Sequence, residues 1–491
     1  MTSTAPPLAN ANTPTALKVH GREGHSGITD APRAGSTVSS ALSVPRWWSV
    51  VAVATVWMSL LFVLWLWWAN GGVSRATSTA EGWTSMGRLT GLLSSDLLLL
   101  QVLMMARIPF VEKAFGQDAL TGTHRLAGFG SFVLMLAHLG MTLFGYAGAS
   151  WTQLWTTTLD VTLDMPAMLL AVLGTLALCA VVLSSVRSAR RRLRYETWHL
   201  IHLYAYLGCF LALPHQLWTG ADFLSSPIAT VYWWTLWTGA AASVLLFRVG
   251  LPIRRNLRHR LVVTDVRAEG RDVTTVTVTG RHLDRLPVIG GQFFLWRFLD
   301  GPGWTRAHPY SLSAAPDGRS LRISVAGVGD GSRRLATMQP GTRVLIEGPY
   351  GRLHEGVRTR RPVLLMASGI GIAPMLSLLE SLSVQPGEAT VIYRVREPAS
   401  AALLPRVQAV TDELGAHLYI LDGPRISARR SWLPESWCHL SDAEALTCLV
   451  PQVAGHDVFV CGATAWMDAV EAAAIRAGVP SSCVHTERFT D

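Results

Sequence analysis

The sequence predicts a multidomain chain: an all-α, six-helix transmembrane domain, then an antiparallel β-barrel domain and an α/β nucleotide-binding domain. Three observations carry this. Nearly all the long apolar runs lie before Gly250, short β-branched runs broken by Gly and Pro follow it, and strand–turn–helix units begin at Val363. A bilayer span needs about 20 apolar residues, whereas strands are short or alternate, so the change of pattern separates the parts. The 491 residues suffice for three domains. The expected boundaries are a disordered N-terminal tail at 1–45, a membrane domain at 46–250, a barrel at 258–355 and a nucleotide domain at 360–491.

The tail is rich in Ala, Ser, Thr, Pro and Gly and has no periodicity, so it lacks the apolar surface to offset ordering entropy. The first apolar stretch begins only near Trp47, which argues against a cleaved signal peptide. Six segments then have spanning length, at 47–69, 89–107, 124–146, 165–186, 197–218 and 228–249, with Ser94, Ser95, Asp96 and Gln101 interrupting the second. The net charge of +9 does not read as a nucleic-acid surface, because the arginines cluster between apolar runs (Arg187, Arg190, Arg191, Arg192 and Arg194; Arg248, Arg254, Arg255, Arg258 and Arg260). The 147–164 and 216–227 loops carry no Lys or Arg, while 107–125 and 187–194 carry several. With six helices, both termini and the C-terminal domains are then expected in the cytoplasm of a multi-pass cell-membrane protein. Trp-rich helix ends suit the interfacial belts. The cysteines at 179, 209, 438, 448, 461 and 483 form no iron–sulfur run and no C-x-x-C pair.

Ionisable residues inside a membrane are costly, and five histidines (His124, His138, His199, His202 and His215) fall in segments three and five. Haem iron is a natural partner, because coordination removes the imidazole nitrogen from lipid. His124 and His138 are 14 residues apart, roughly 21 Å along a helix, and His202 and His215 are 13 apart, roughly 20 Å. Two b-type haems would stack between the helices, with His124 paired to His202 and His138 to His215. The 14-residue step returns to within roughly 40° of its starting face, but 13 residues miss by roughly 140°. Pro214 should disturb the helix there. His199 reads as an interfacial hydrogen-bonding residue, with replacement of His202 as ligand the alternative.

The string Trp198-His199-Leu200-Ile201-His202-Leu203-Tyr204, with His215 and the His124/His138 pair, resembles the ferric reductase-like transmembrane domain. NADPH oxidases, ferric reductases and the haem subunit of a bacterial methionine sulfoxide reductase system share that domain. The resemblance favours His202 over His199 as ligand.

The soluble half carries His308-Pro309-Tyr310-Ser311-Leu312-Ser313, in which a ring followed by hydroxyls on a strand can cover a flavin and bond its ribityl chain. Gly291-Gln292-Phe293 begins a strand upstream. Gly329-Asp330-Gly331-Ser332 can offer backbone N–H groups to a pyrophosphate, and Gly348-Pro349-Tyr350-Gly351 closes the barrel with a turn. From Pro362, an apolar strand runs through Gly369-Ile370-Gly371 into a helix with Pro374 in its first turn, a start that favours phosphate. It is not the G-x-G-x-x-G fingerprint. Together the strings resemble the ferredoxin-reductase-type FAD/NAD(P)H module over about 258–491. His308 with Pro309, Tyr310, Ser311 and Ser313 matches the flavin motif of its oxidase and ferric-reductase branch. Val458-Phe459-Val460-Cys461-Gly462 resembles the strand whose Cys-Gly approaches the nicotinamide, although Ala463 stands where Pro is usual. Glu487-Arg488-Phe489 resembles the terminal segment whose aromatic stacks on the flavin, which implies catalytic roles for Cys461 and Phe489. Arg394 and Arg396 either hold the 2′-phosphate of NADPH or are solvated surface residues, and a mild NADPH preference over NADH is expected.

The expected function is electron transfer from cytoplasmic NAD(P)H through FAD and two b-type haems to a small acceptor on the outer side, ferric chelate ahead of oxygen. The alternatives are a superoxide-producing NADPH oxidase and, from another class, a nucleotide-regulated transporter or sensor. The sequence leaves any partner subunit unidentified.

Overall fold

The computed structural model describes residues 17–18 and 47–488, apart from positions 194, 221, 270, 271, 302 and 427. Most of the 1–45 segment, and Phe489, lie outside the described residues. The chain divides into two compact units, Val44–Leu251 and a second that contains Leu17–Lys18 and everything from Pro252 on, so the boundary falls at the start of the last helix of the run described next.

The first unit is helical: α1 (Trp47–Ala69), α2 (Thr79–Met105), α3 (Pro109–Phe115), α4 (Gln117–Tyr146), α5 (Leu154–Asp164), α6 (Met168–Ser185), α7 (Arg187–Arg190), α8 (Tyr195–Trp218) and α9 (Pro227–Ser243), which leads through a π-helical turn, Val244–Gly250, into α10 (Leu251–His259). Among the described residues six helices are long and apolar enough to cross a membrane. All six expected spans are present, and the second, third and sixth are longer than expected. The second helix begins ten residues earlier, because Ser78 and Glu81 form a reciprocal capping box ahead of a polar first turn. Pro214 lies inside α8, which continues to Trp218. The outward faces keep large apolar side chains exposed, among them Trp57, Leu126, Phe129, Phe210 and Val231, as lipid-facing helices do.

Small residues bring the helices together. A Cβ on Gly87 would lie 2.4 Å from Thr142 Oγ1, and one on Gly145 would lie 2.2 Å from Thr84 Oγ1, so α2 and α4 are in direct contact along their length. A Cβ on Gly174 would lie 2.8 Å from the Gly208 carbonyl, which fixes α6 on α8 in the same way. Val63 and Leu66 of α1, Leu92 of α2, and Ala229 and Trp233 of α9 form a further buried cluster with Phe223.

The second unit holds two six-stranded sheets among the described residues. The first runs β5 (His308–Ser311), β4 (Phe293–Phe298), β7 (Arg343–Tyr350), β2 (Leu261–Ala268), β3 (Val273–Thr279), β6 (Ser320–Ala326), with every neighbouring pair antiparallel. An antiparallel bridge between Leu312 and Ile323 links the chain just after β5 to β6, the opposite edge strand. Phe294, Trp296, Val276 and Ile323 fill the interior. A short helix, α11 (Asp330–Arg334), follows β6.

The other sheet has the order β1 (Leu17–Lys18), β10 (His417–Leu421), β9 (Ala389–Arg394), β8 (Val363–Ser368), β11 (Asp457–Cys461), β12 (Val484–Thr486). All pairs are parallel except β1 on β10. Two residues of the expected tail therefore form an edge strand. Helices α12 (Ile372–Ser381), α13 (Leu404–Leu414), α14 (Asp442–Leu449) and α15 (Thr464–Arg476) cover the sheet. Leu365 and Ala367 of β8 join one core with α12 and α13, while Leu364 and Met366 join another with Trp432 and Trp466. A strand buried on both faces reads as a continuous apolar run, as Val363–Ala367 does.

Candidate functional site

In the helical unit, His124 and His202 meet across α4 and α8, with ring centres 6.0 Å apart and planes at 66°. Two imidazoles that share a metal through bonds of about 2 Å hold their ring centres roughly 6 Å apart. His202 is held by Ser185 Oγ at 3.4 Å from Nδ1 and by the Trp198 ring at 5.0 Å. Trp198 donates to Ser185 Oγ (3.2 Å), and the Arg190 guanidinium covers its ring at 4.7 Å. Hydrogen bonding of the second ring nitrogen is what orients a ligating histidine. His199 lies beside Trp198, with ring centres 6.5 Å apart.

The second pair is reached from the same helices. His138 places Nδ1 2.8 Å from the Gly87 carbonyl of α2 and 3.4 Å from Thr142 Oγ1. Gly91 makes the room, since a Cβ there would stand 2.6 Å from His138 Nδ1. His215 interacts electrostatically with His138, as His124 does with His202. Nδ1 of His124 and of His215 are buried without a hydrogen-bond partner. Among the described residues no three His, Cys, Asp or Glu side chains converge, so a metal here would have two imidazoles and must take its other ligands from a bound group. That donor set fits a haem. Gly87 and Gly91, spaced four apart on α2, were missed by sequence reasoning although their small-x-x-x-small spacing was visible.

In the antiparallel sheet, His308 and Tyr310 share one face of β5 and their rings stack at 5.7 Å and 7°. Burial pushes the Tyr310 hydroxyl up to about 12. The Gly329–Ser332 turn lies against this face, since a Cβ on Gly331 would stand 2.7 Å from His308 Cε1. Ser332 Oγ accepts from Gly329 N–H (2.9 Å) and donates to Gly329 O (2.8 Å), which fixes the turn. Pro309 is exposed, and Ser311 Oγ is buried without a partner. Ser311 therefore keeps a free buried hydroxyl on the face of β5 opposite the two rings. Ser313 has other work: its hydroxyl accepts from Ser324 (2.9 Å), which is also bonded to Thr275, inside the sheet.

In the parallel sheet the neighbours of β8 are β9 on one side and β11 on the other, so chain direction switches above their carboxyl ends. The two expected nicotinamide strings meet there. A Cβ on Gly371 would lie 2.3 Å from the Cys461 carbonyl, and one on Gly462 would lie 2.8 Å from Ser368 Cβ, so both glycines are required by mutual approach. Gly369 takes φ +56°, and Pro374 is buried in the first turn of α12. Cys461 is buried, and that burial, reinforced by the nearby Glu487 carboxylate, pushes its thiol up to about 12. Glu487 is itself buried against Gly351, where a Cβ would stand 2.6 Å from either carboxylate oxygen. Sequence reasoning quoted Glu487 only as a neighbour of Phe489. Arg488 pairs with Asp468 and with Glu471 (2.8 Å), and His485 Nε2 lies 2.9 Å from Asp457, which also accepts from Thr359 and Arg360 N–H. These bonds hold the chain leading to Phe489.

One expectation is corrected. The Arg394 guanidinium is buried and donates to the carbonyls of Val395, Leu421 (3.3 Å), Gly423 (2.7 Å) and Pro424 (3.1 Å), so it staples the ends of β9 and β10 and does not present itself to a phosphate. Arg396 is exposed.

A ferric reductase-like transmembrane component matches residues 90–213. Over 210 residues the chain is 30% identical to ferredoxin–NADP reductase B of Sorangium cellulosum, covering 38% of this chain and 80% of that protein. Over 241 residues it is 30% identical to the ferredoxin reductase component of 3-ketosteroid-9-alpha-monooxygenase from Mycolicibacterium smegmatis, covering 47% and 65%. The flavohem-like FAD/NAD-binding domain of nitric oxide dioxygenase from Vibrio cholerae aligns with 22% identity and a TM-score of 0.37, over 47% of this chain and 99% of that one. A histidine-bearing membrane unit joined to such a module defines a membrane electron-transfer oxidoreductase. Residues 90–213 match a ferric reductase-like transmembrane component, and the C-terminal half belongs to the ferredoxin-reductase-type FAD/NAD-binding proteins.

Proposed function

We propose that this chain carries electrons from cytoplasmic NAD(P)H, through FAD and two b-type haems, to a small acceptor on the outer side, ferric chelate ahead of oxygen. The 6.0 Å separation of the His124 and His202 rings, on two helices of the family-matched segment, is the observation that carries the reading. The bound groups supply hydride acceptance, splitting of the electron pair and one-electron passage. The chain's part is placement and electrostatics. His124 with His202, and His138 with His215, would hold the two irons. Tyr310, Ser311 and the Gly329–Ser332 turn would hold the flavin, and Gly369, Gly371, Pro374 and Gly462 would leave room for the nicotinamide dinucleotide. With its thiol near 12, Cys461 stays neutral at physiological pH, so it shapes the nicotinamide pocket and does not act as a nucleophile. Phe489 would cover the flavin until nicotinamide arrives.

A dithionite-reduced minus oxidised absorbance spectrum of the purified full chain, with extracted flavin quantified, tests this. Two b-type haems and one FAD per chain are expected. A haem-free, flavin-bearing protein would instead favour a nucleotide-regulated transporter or sensor. Superoxide formed during NADPH turnover, with a probe signal abolished by dismutase, would replace ferric chelate by oxygen as acceptor.

A further inference from the structure

The membrane unit buries one carboxyl that the electron path does not use. Asp96, in the middle of α2, is 0% exposed. Its Oδ1 accepts from Ser59 Oγ of α1 (2.9 Å) and from the Tyr232 hydroxyl of α9 (2.6 Å), and those two hydroxyls are 2.7 Å apart. Oδ2 is buried without a hydrogen-bond partner. The nearest basic residue on the same helix, Arg88, is eight residues away and engaged by Asp222 (2.8 Å from its Nε). If the cluster served only to fasten three helices, an asparagine would accept the same two bonds without the cost of a buried acid. Both donors serve one carboxyl oxygen, which leaves the other, buried at mid-helix, open to a proton.

Two short links join this residue's helix to one histidine pair. Ser95 Oγ accepts from Gln216 (3.1 Å), the residue after His215, and the Gly87 carbonyl holds His138 Nδ1 (2.8 Å). Helices α1, α4 and α9 pack on α2. Of these, α1 presents Ser59 and no charged side chain, and α9 presents Tyr232. On α4 the segment level with Asp96 lies near Ser131, which bonds Ser94, so the titratable groups flanking it are His138 and His124, each seven residues from Ser131, with Arg125 beside His124.

We propose that Asp96 is a proton-binding site coupled to the electron occupancy of the His138/His215 pair, which rests on the reading that this pair holds a haem. When one electron supplied by NAD(P)H through the flavin arrives there, the Asp96 carboxylate takes one proton from water and an O–H bond forms at Oδ2. When the electron leaves for the acceptor, that bond breaks and the proton returns to water. An added charge in a low-dielectric interior is thereby offset.

The test is infrared difference spectroscopy, dithionite-reduced minus oxidised, on the full chain in liposomes near neutral pH, with haem counted by absorbance in the same cell. Reduction is expected to produce a protonated-carboxyl C=O band that shifts in D2O, vanishes in Asp96→Asn, and moves but persists in Ser59→Ala and Tyr232→Phe. Intact haem bands with no carboxyl band in the wild type, or a band retained in Asp96→Asn, overturn the proton site and leave the haem reading standing. Absence of haem bands removes both. Should Asp96→Asn fail to assemble, Tyr232→Phe decides alone, and an unmoved band assigns the proton elsewhere.

Discussion

At the scale of single residues, environment decides role more than residue type does. Arg394 and Arg396 read alike in the sequence, two places apart after one strand. The structure spends the first on backbone carbonyls and leaves the second exposed. Arg396→Ala should therefore lower kcat/KM for NADPH about ten-fold or more while sparing NADH, as loss of a charge-assisted phosphate bond does. Arg394→Ala should lower stability without changing the ratio of the two efficiencies. Steady-state kinetics with both nucleotides separate these outcomes. Cys461 is a second case. Its folded thiol is raised to about 12 from an ordinary value near ~8.5, so at pH 8 a thiol reagent should modify the exposed Cys438 and Cys448 and leave Cys461 untouched in the folded protein. Because the folded form binds this proton more tightly, its contribution to stability is complete below pH ~8.5 and is lost as pH rises toward 12. Peptide mapping after labelling at pH 8 checks the first statement, and urea melts from pH 8 upward check the second.

At the scale of elements, close backbone approach positions the site, and this was only partly legible in the sequence. The spacing of His124 and His138 revealed one helix face, whereas the 13-residue step from His202 to His215 fits one face less well, and α8 runs on through Pro214 where a disturbed helix was expected. The early start of α2 was hidden because its first turns are polar, and Gly87 and Gly91 therefore drew no notice. Gly91→Val should drive a side chain into His138, cost about 1–3 kcal/mol in packing, and remove one haem's contribution to the reduced spectrum. His202→Ala should likewise remove one haem signal, whereas His199→Ala should keep both. In the nucleotide domain, the buried Asp457 holds His485 and two backbone N–H groups, and these bonds hold its carboxyl below the usual range. Asp457→Asn should loosen β12, destabilising the domain by about 3 kcal/mol and weakening flavin retention. Thermal release of flavin fluorescence reads this directly. Nothing in the sequence marked the pair, since the two residues are 28 positions apart and each looks like an ordinary strand residue.

At the scale of the whole molecule, the order of the parts was readable because the membrane and the two sheets demand different periodicities. Six apolar runs became six helices, and the run Val363–Ala367 became the central strand of a sheet. The pairing of His124 with His202 was readable from helix direction and spacing, and their rings do meet, whereas the approach of Gly371 to Cys461 depends on strand packing that spacing alone leaves open. The proposed cytoplasmic placement of the C-terminal domains predicts that a C-terminal tag is protease-sensitive in inside-out vesicles and protected in right-side-out ones.

The proposed function has one chain carry electrons from a nicotinamide to histidine-bound haem. Anaerobic addition of NADPH to the purified full-length protein, followed by rapid-scan absorbance, tests it most directly. Flavin bleaching is expected, followed by growth of reduced b-type bands to the amplitude that dithionite gives. Flavin reduction with the haem bands left oxidised, or no haem bands to follow, would contradict it.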